Sequence, residues 1–277
     1  MTRDTATNSA RARSPQRRWN IALWIYVSVF FVFLYGPLLT LVVFSFNDAE
    51  VVALPLRGFT LKWYRAIFEM PQLLGSLANS FALGIISGAV STVLGLGLAL
   101  GFRRDFRLKP MLLRMILIPI VVPGIIGGVV LLLFFGYLGV PFGLYTTVLI
   151  AHINWTLPFT FLTLYPRLHR FDRSIEEAAM DLGARPLMVF RRIVLPLIMP
   201  AIYATFLFSF TLSFDEFIRT IFVLGPERTV PVHVWSLVIE QIAPFLPAVG
   251  VLIMVISIGA SLLGLLVTAR SDQAAFR

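Results

Sequence analysis

Asp215 and Glu216 stand inside a run, 196–224, that is otherwise strongly apolar and long enough to cross a bilayer. Ionisable groups at that depth cost at least about 2.5–3.5 kcal/mol each on insertion scales, so they face a cavity or a partner. Two arrangements fit the spacing. Arg219 follows on nearly the same helix face and can form a salt bridge with either carboxylate. Alternatively, one carboxylate lines a polar path and attracts a cation. Consecutive helical residues point about 100° apart, so at most one of the pair faces such a path directly. Phe214 and Phe217 flank them, and aromatic faces add cation–π attraction for a chain of ammonium groups. Asp215, Glu216 and Phe214 are therefore the candidate lining of a path for a cationic substrate.

A second group of residues is suited to docking rather than binding a small molecule. Ser174-Ile175-Glu176-Glu177-Ala178-Ala179-Met180-Asp181-Leu182-Gly183 pairs a Ser with a Glu three residues later, which predicts a capping box and a helix start at Ser174. Gly183, with Pro186 just beyond, ends that helix. A second helical segment, Leu187–Val194, then runs into the membrane at Pro196. A short helix with a small-residue face and a charged edge fits a groove on another protein; an ordinary amphipathic loop helix is the alternative.

Other chemistries lack their residues. A phosphate-binding loop needs Lys followed by Ser or Thr, and the two lysines, Lys62 and Lys109, precede Trp63 and Pro110. ATP hydrolysis, if coupled, must come from a separate chain, and no catalytic residue is expected in this one. His152, His169 and His233 have no His or Cys at ligand spacing, and cysteine is absent, so neither a metal site nor a disulfide is expected. His152, Asn154 and Trp155 fall within a span, where polar side chains serve interhelical hydrogen bonds more often than substrate.

The elements that position these residues follow from composition. The 277 residues are 58% hydrophobic and 13% charged, about half the charge of soluble domains, with mean hydropathy +0.88. Six runs reach the roughly 20 residues needed to span: 21–46, 73–102, 111–135, 144–166, 196–224 and 245–269. The third and fourth are separated only by Gly136–Gly143 and form a tight hairpin. The first is too long for a signal-peptide core and has no small-residue cleavage site, so it reads as a retained span. Residues 1–18 are basic, Ser/Arg-rich and expected to be disordered; 19–277 form one transmembrane domain with a cytoplasmic loop at 167–195.

Lys and Arg fix the orientation. Arg3, Arg11, Arg13, Arg17, Arg18, Arg103, Arg104, Arg107, Lys109, Arg167, Arg170, Arg173, Arg185, Arg191, Arg192, Arg270 and Arg277 fall on one side, against Arg57, Lys62, Arg65 and Arg228 on the other. Both termini are predicted cytoplasmic. The net charge of +9 is spread over short loops, with no aromatic-basic groove, so nucleic acid is not an expected partner. Two outer segments, 59–64 and 231–241, carry Trp63, Tyr64 and Trp235. These rings either float at the headgroup level or contact a partner outside the membrane.

Glu177-Ala178-Ala179, three residues, Gly183, nine residues, Ile193, one residue, then Leu195-Pro196 resembles the EAA loop of binding-protein-dependent ABC importer permeases. Ser45-Phe46-Asn47-Asp48, Gly58-Phe59-Thr60-Leu61-Lys62-Trp63-Tyr64, Asn79-Ser80 and Thr211-Leu212-Ser213-Phe214-Asp215-Glu216-Phe217 are similar to the second permease of spermidine/putrescine importers, the PotC-like group. The stretch after Trp235 departs from that group, with Pro244-Phe245-Leu246-Pro247-Ala248 in place of charged residues. The resemblance implies an all-α, type I importer permease of about six helices in a bacterial inner membrane. It implies a second permease subunit (a different chain), two ATPase subunits carrying ATP and Mg, and a periplasmic binding protein. It assigns ATPase coupling to Glu177, Ala178, Ala179, Asp181 and Gly183, and makes Trp63, Tyr64 and Trp235 candidate binding-protein contacts. The alternatives are a permease for another amine such as an opine, a self-contained secondary transporter, which needs an inverted repeat or a charged relay, and a non-transporting scaffold, which leaves the EAA spacing unexplained.

Overall fold

The computed structural model describes residues 13–240 and 243–275, with side chains described from 19 to 266. Every regular element is a helix: α1 (Arg13–Ser45), α2 (Lys62–Phe68), α3 (Pro71–Gly101), α4 (Lys109–Val121), α5 (Gly124–Tyr137), α6 (Leu149–His169), α7 (Arg173–Asp181), α8 (Pro186–Val189), α9 (Leu195–Phe214), α10 (Ile218–Val223), α11 (Val230–Glu240) and α12 (Leu246–Ala275). π-helical turns, Leu144–Val148 and Phe190–Val194, lead into α6 and α9. In lipid each backbone N–H and C=O must be satisfied within the span, which leaves the helix as the available form for these apolar runs.

Among the described residues five helices are long and apolar enough to cross a membrane, or six if the bent pair α4/α5 counts as one span. Two expected boundaries change. The third span is broken, with α4 and α5 meeting at 105°. Val122, ahead of Pro123, is forced to an extended ψ of 124°, and Pro123 itself takes ψ 136°. The fifth span runs as one helical stretch from Pro186 and stops at Phe214, with α10 a separate short helix. In the expected tail, helix begins at Arg13, where Pro15 suits a first turn; residues 1–12 lie outside the described residues.

The bundle centres on α3, which packs against both α6 and α9. Its buried face includes Ser76, Ser80, Gly84, Ser87, Gly88, Ser91 and Gly95 beside Leu73 and Leu83, a row of small residues that lets backbones approach where lipid offers no hydrophobic drive. The approach is close: a Cβ on Gly95 would stand 2.3 Å from Thr160 Oγ1, and one on Gly84 2.9 Å from the Phe210 ring. α1 packs on α12 at the edge, and its large side chains are mostly exposed, as a lipid-facing helix requires. At the α7 end a core of Phe102, Phe161, Leu164, Leu168, Val194 and Ile198 closes the bundle.

Candidate functional site

The break after α9 separates the two carboxylates. Asp215 is the C-cap of α9 and is exposed, and Ser257 Oγ on α12 donates to its carboxylate at 2.9–3.0 Å. Glu216 is 8% exposed and turns inward. Its Oε1 accepts the Arg219 backbone N–H at 2.8 Å, while Oε2 takes the guanidinium at 3.2 Å. Glu216 therefore caps α10 and neutralises Arg219, whose guanidinium also lies 3.8 Å from the Trp155 ring centroid. The salt bridge read from the spacing forms on Glu216, and Asp215 is left outside it.

Phe214 does not fit a path-lining place. It is 1% exposed, packed on Phe81 and Phe210, because the last turn of α9 directs it at α3.

Behind the break lies a chain of hydrogen bonds whose protons can be assigned. Ser87 Oγ donates to Ser213 Oγ at 2.7 Å, so the Ser213 hydroxyl donates to His152 Nδ1 at 2.7 Å. His152 Nε2–H then donates to Thr220 Oγ1 at 2.8 Å, and Thr220 donates to the Glu216 carbonyl at 2.7 Å. One neutral tautomer satisfies every member. His152, fully buried, thus ties α3, α6 and α9 to the segment that presents Asp215. Its packing role matches the expectation, whereas the tie to Thr220 had no signal in the sequence.

The candidate docking residues lie at the end of the bundle where α3 finishes. α7 is capped by Asp172 rather than Ser174: Asp172 Oδ1 accepts the Ser174 N–H at 2.9 Å. That bond holds the Asp172 carboxyl below its usual range. The turn residue Asp172, two before Ser174, outcompetes the serine because its charge also complements the helix N-terminus. At the other end Gly183 N–H donates to Met180 O at 2.9 Å and Ala184 N–H to Ala179 O at 3.1 Å, with Gly183 at φ +86°. This is a Schellman turn, and it needs glycine.

Glu177, Ala178, Asp181 and Gly183 are exposed, and Ala179 is half-buried against the core. Leu182 beside them is 91% exposed. Glu176, the neighbour that sequence reasoning passed over, is ion-paired with Arg103 at the end of α3. The Arg173 guanidinium donates to the Arg103 carbonyl, and Arg103 lies 5.8 Å from the Phe171 ring. α7 is thereby bound to α3, the helix that holds the rest of the bundle.

At the opposite end the three aromatic candidates divide. Trp63 Nε1 donates to Asn47 O at 2.8 Å and Tyr64 Oη bonds Ser45 Oγ at 2.8 Å. Both rings are half-buried in the 45–64 connection, so they brace it rather than present an open face. Trp235 is 45% exposed and packs on Phe217 at 5.4 Å between centroids. No group of three His, Cys, Asp or Glu able to hold a metal occurs among the described residues.

Residues 91–273 match the family described as binding-protein-dependent transport system inner membrane component. The chain belongs to that family. It is 34% identical over 235 residues to the spermidine/putrescine transport system permease protein PotC of Escherichia coli (strain K12), covering 84% of this chain and 88% of that one. It is also 34% identical over 250 residues to the putrescine transport system permease protein PotI of the same strain, covering 87% and 86%. Its fold is similar to a chain of a bacterial ABC transporter involved in the import of the acidic polysaccharide alginate, with TM-score 0.70, 15% identity and coverage of 94% and 98%. A chain of the MetNI methionine ABC transporter in an inward-facing conformation aligns at TM-score 0.56 and 16% identity, over 73% of this chain and 94% of that one. An acidic polysaccharide and an amino acid share this scaffold, so the fold alone does not specify the cargo. The chain is thus an α-helical permease of the type I ABC importer fold and an inner-membrane transport component, with α7 and the break at Asp215 inside the matched region.

Proposed function

We propose that this permease is the membrane subunit of an ATP-driven importer that moves a polyamine of the spermidine/putrescine kind, delivered by a periplasmic binding protein. The observation that carries this reading is Asp215, an exposed carboxylate at the end of an apolar spanning helix, held within this chain only by a serine hydroxyl among the described residues. An ammonium group can take the lone pairs that Ser257 leaves open, and an anion would be repelled. The names of the relatives PotC and PotI support the same substrate class. Glu216 has no such role in this reading, because Arg219 already neutralises it.

The α7 end faces the cytoplasm, in keeping with the Lys/Arg bias and with both termini on that side. There Glu177, Ala178, Ala179, Asp181 and Gly183 present α7 to one of two ATPase subunits, which carry ATP and Mg. Closure of the ATPase pair moves α7, and the Arg103–Glu176 and Arg173–Arg103 contacts pass that movement to α3. α3 in turn bears on α6 and α9 through its small-residue face, shifting the break at Asp215. A second, different permease subunit completes the path, and exposed Trp235 on the outer face meets the binding protein.

The test is ATP hydrolysis and uptake by the reconstituted assembly, with and without binding protein loaded with spermidine or putrescine. Glu177→Ala is expected to abolish coupled hydrolysis, and Asp215→Asn to abolish polyamine uptake. Stimulation by another amine, such as an opine, with none by polyamines would reject the substrate and keep the importer. Failure of any ATPase subunit to co-purify would reject the importer.

A further inference from the structure

At the end of the bundle opposite α7, the start of α3, the 224–229 connection and α11 border an open, polar-lined cavity of about 520 Å³. Gln72, Asn79, Glu227, Arg228, His233 and Glu240 line it, and a cavity of this size is within the range of small-ligand sites. Its walls are sewn together. Val230 N–H donates to Ser80 Oγ at 2.9 Å, and Asn79 Nδ2 donates to the Arg228 carbonyl at 3.0 Å. The second bond orients the Asn79 amide, leaving Oδ1 to accept. Arg228 is itself tethered, its guanidinium donating to Ser236 Oγ at 2.9 Å.

His233 is the unexplained member. It is 7% exposed and lines the cavity, yet its imidazole makes no hydrogen bond to any described residue. Its ring nitrogens are not among the sealed polar atoms that lack a partner, so they open into the cavity, where a ligand atom can meet them. The lining is otherwise rich in acceptors: two carboxylates, the Asn79 oxygen and one nitrogen of a neutral imidazole. The single cation, Arg228, is held by a serine. Such a set matches a primary ammonium group with three N–H donors, and it disfavours an anion.

Resting on the amine-importer reading above, we infer that this cavity is a receiving site which holds an ammonium group of the substrate after its release from the binding protein and before it reaches Asp215. α11 links the two places, since Trp235 on that helix packs on Phe217, two residues past Asp215. The role of His233 requires it neutral. Burial, and then the nearby Arg228, push its pKa below the ordinary histidine value, while Glu240 opposes them. The charged groups facing it are Glu227 and Arg228 on the connection and Glu240 on α11; α3 contributes only Gln72, Ser76 and Asn79.

The test uses the complete reconstituted importer with saturating binding protein loaded with labelled spermidine or putrescine, comparing uptake with ATP hydrolysed. Glu227→Gln combined with Glu240→Gln is expected to lower uptake per ATP about tenfold, the size of one lost charge-assisted hydrogen bond. Binding-protein-stimulated hydrolysis should stay at the wild-type level, and Glu→Asp at both positions should restore uptake. Both residues are exposed, so the variants are expected to assemble. Wild-type uptake is expected to fall as outer pH drops below the ordinary histidine range, about 6.5, and His233→Gln is expected to remove that fall. Unchanged uptake per ATP in the double variant, beside normal wild-type uptake, overturns this inference alone. A parallel fall in stimulated hydrolysis with more binding protein needed for half-saturation also overturns it, marking the cavity as a docking patch. A wild-type assembly that hydrolyses ATP but takes up no di- or polyamine removes the substrate reading, and this inference with it.

Discussion

Replacing Gly183 isolates the turn that presents α7 to a partner. A Cβ there meets no atom within 4 Å, so the effect of a substitution is confined to the backbone at φ +86°. The left-handed conformation costs an ordinary L-residue roughly 1–2 kcal/mol, and asparagine less, because its side chain bonds locally in that region. At about 1.4 kcal/mol per tenfold, Gly183→Ala should reduce the population holding the Schellman turn by about 5–30-fold relative to competing local conformations. If docking of α7 requires that turn, ATP hydrolysis stimulated by loaded binding protein should rank Gly above Asn above Ala at limiting ATPase subunit, and excess ATPase subunit should restore it. Gly139, at φ +65° and also with open space around it, is the control at the opposite end of the bundle; Gly139→Ala carries the same backbone cost without touching α7. Equal stimulation in Gly183→Ala and wild type would refute the reasoning, and so would Asn performing no better than Ala.

Further outcomes separate structural from functional residues. Glu216→Gln leaves Arg219 buried without its counter-charge and should destabilise the detergent-solubilised protein by about 3–5 kcal/mol, read by thermal unfolding, whereas Asp215→Asn should abolish uptake with little change in unfolding temperature. A double-mutant cycle on Arg103→Ala and Glu176→Ala, followed by coupled ATP hydrolysis, should show a non-additive term of about 1.5–3 kcal/mol, as expected for a half-buried charged hydrogen bond; strict additivity would show that the pair does not carry movement from α7 to α3. Gly225→Ala should destabilise by about 1–3 kcal/mol, because its Cβ would fall 2.4 Å from the Phe142 carbonyl oxygen. Gly97→Ala, with open space around it, should be neutral or stabilising by up to about 1 kcal/mol in the same unfolding assay.

Much of the site was legible before any coordinates, for reasons local to the chain. The helix over 174–182 and its end at Gly183 follow from side-chain propensity and from the backbone freedom of one glycine, which act over a few residues. Its cap moved only two positions, from Ser174 to Asp172, because two good capping residues compete within one turn. The pairing of one carboxylate with Arg219 was readable from an i,i+3 spacing. Which carboxylate paired was not, since that depends on where α9 stops, and the apolar run itself continues past the break. Trp63, Tyr64 and Phe214 show the same limit: aromatic residues at an interface or beside a charge look alike in sequence whether they point out or in. Only the partners Asn47, Ser45 and Phe81, distant along the chain, decided their direction.

The sequence by itself determined that this chain lives in lipid, spans it about six times and carries a short capped helix ending at Gly183, because hydropathy, charge bias and turn residues act on each segment independently of the others. Tertiary structure alone decided that Asp215 is exposed while Glu216 is buried, that His152 joins three helices to the break, that Arg103 clamps α7, and that His233 faces a cavity without a partner. Each of these depends on which helices meet and at what rotation. In lipid that is settled by close packing of small residues and by satisfying buried polar groups across the bundle, quantities that no single segment contains.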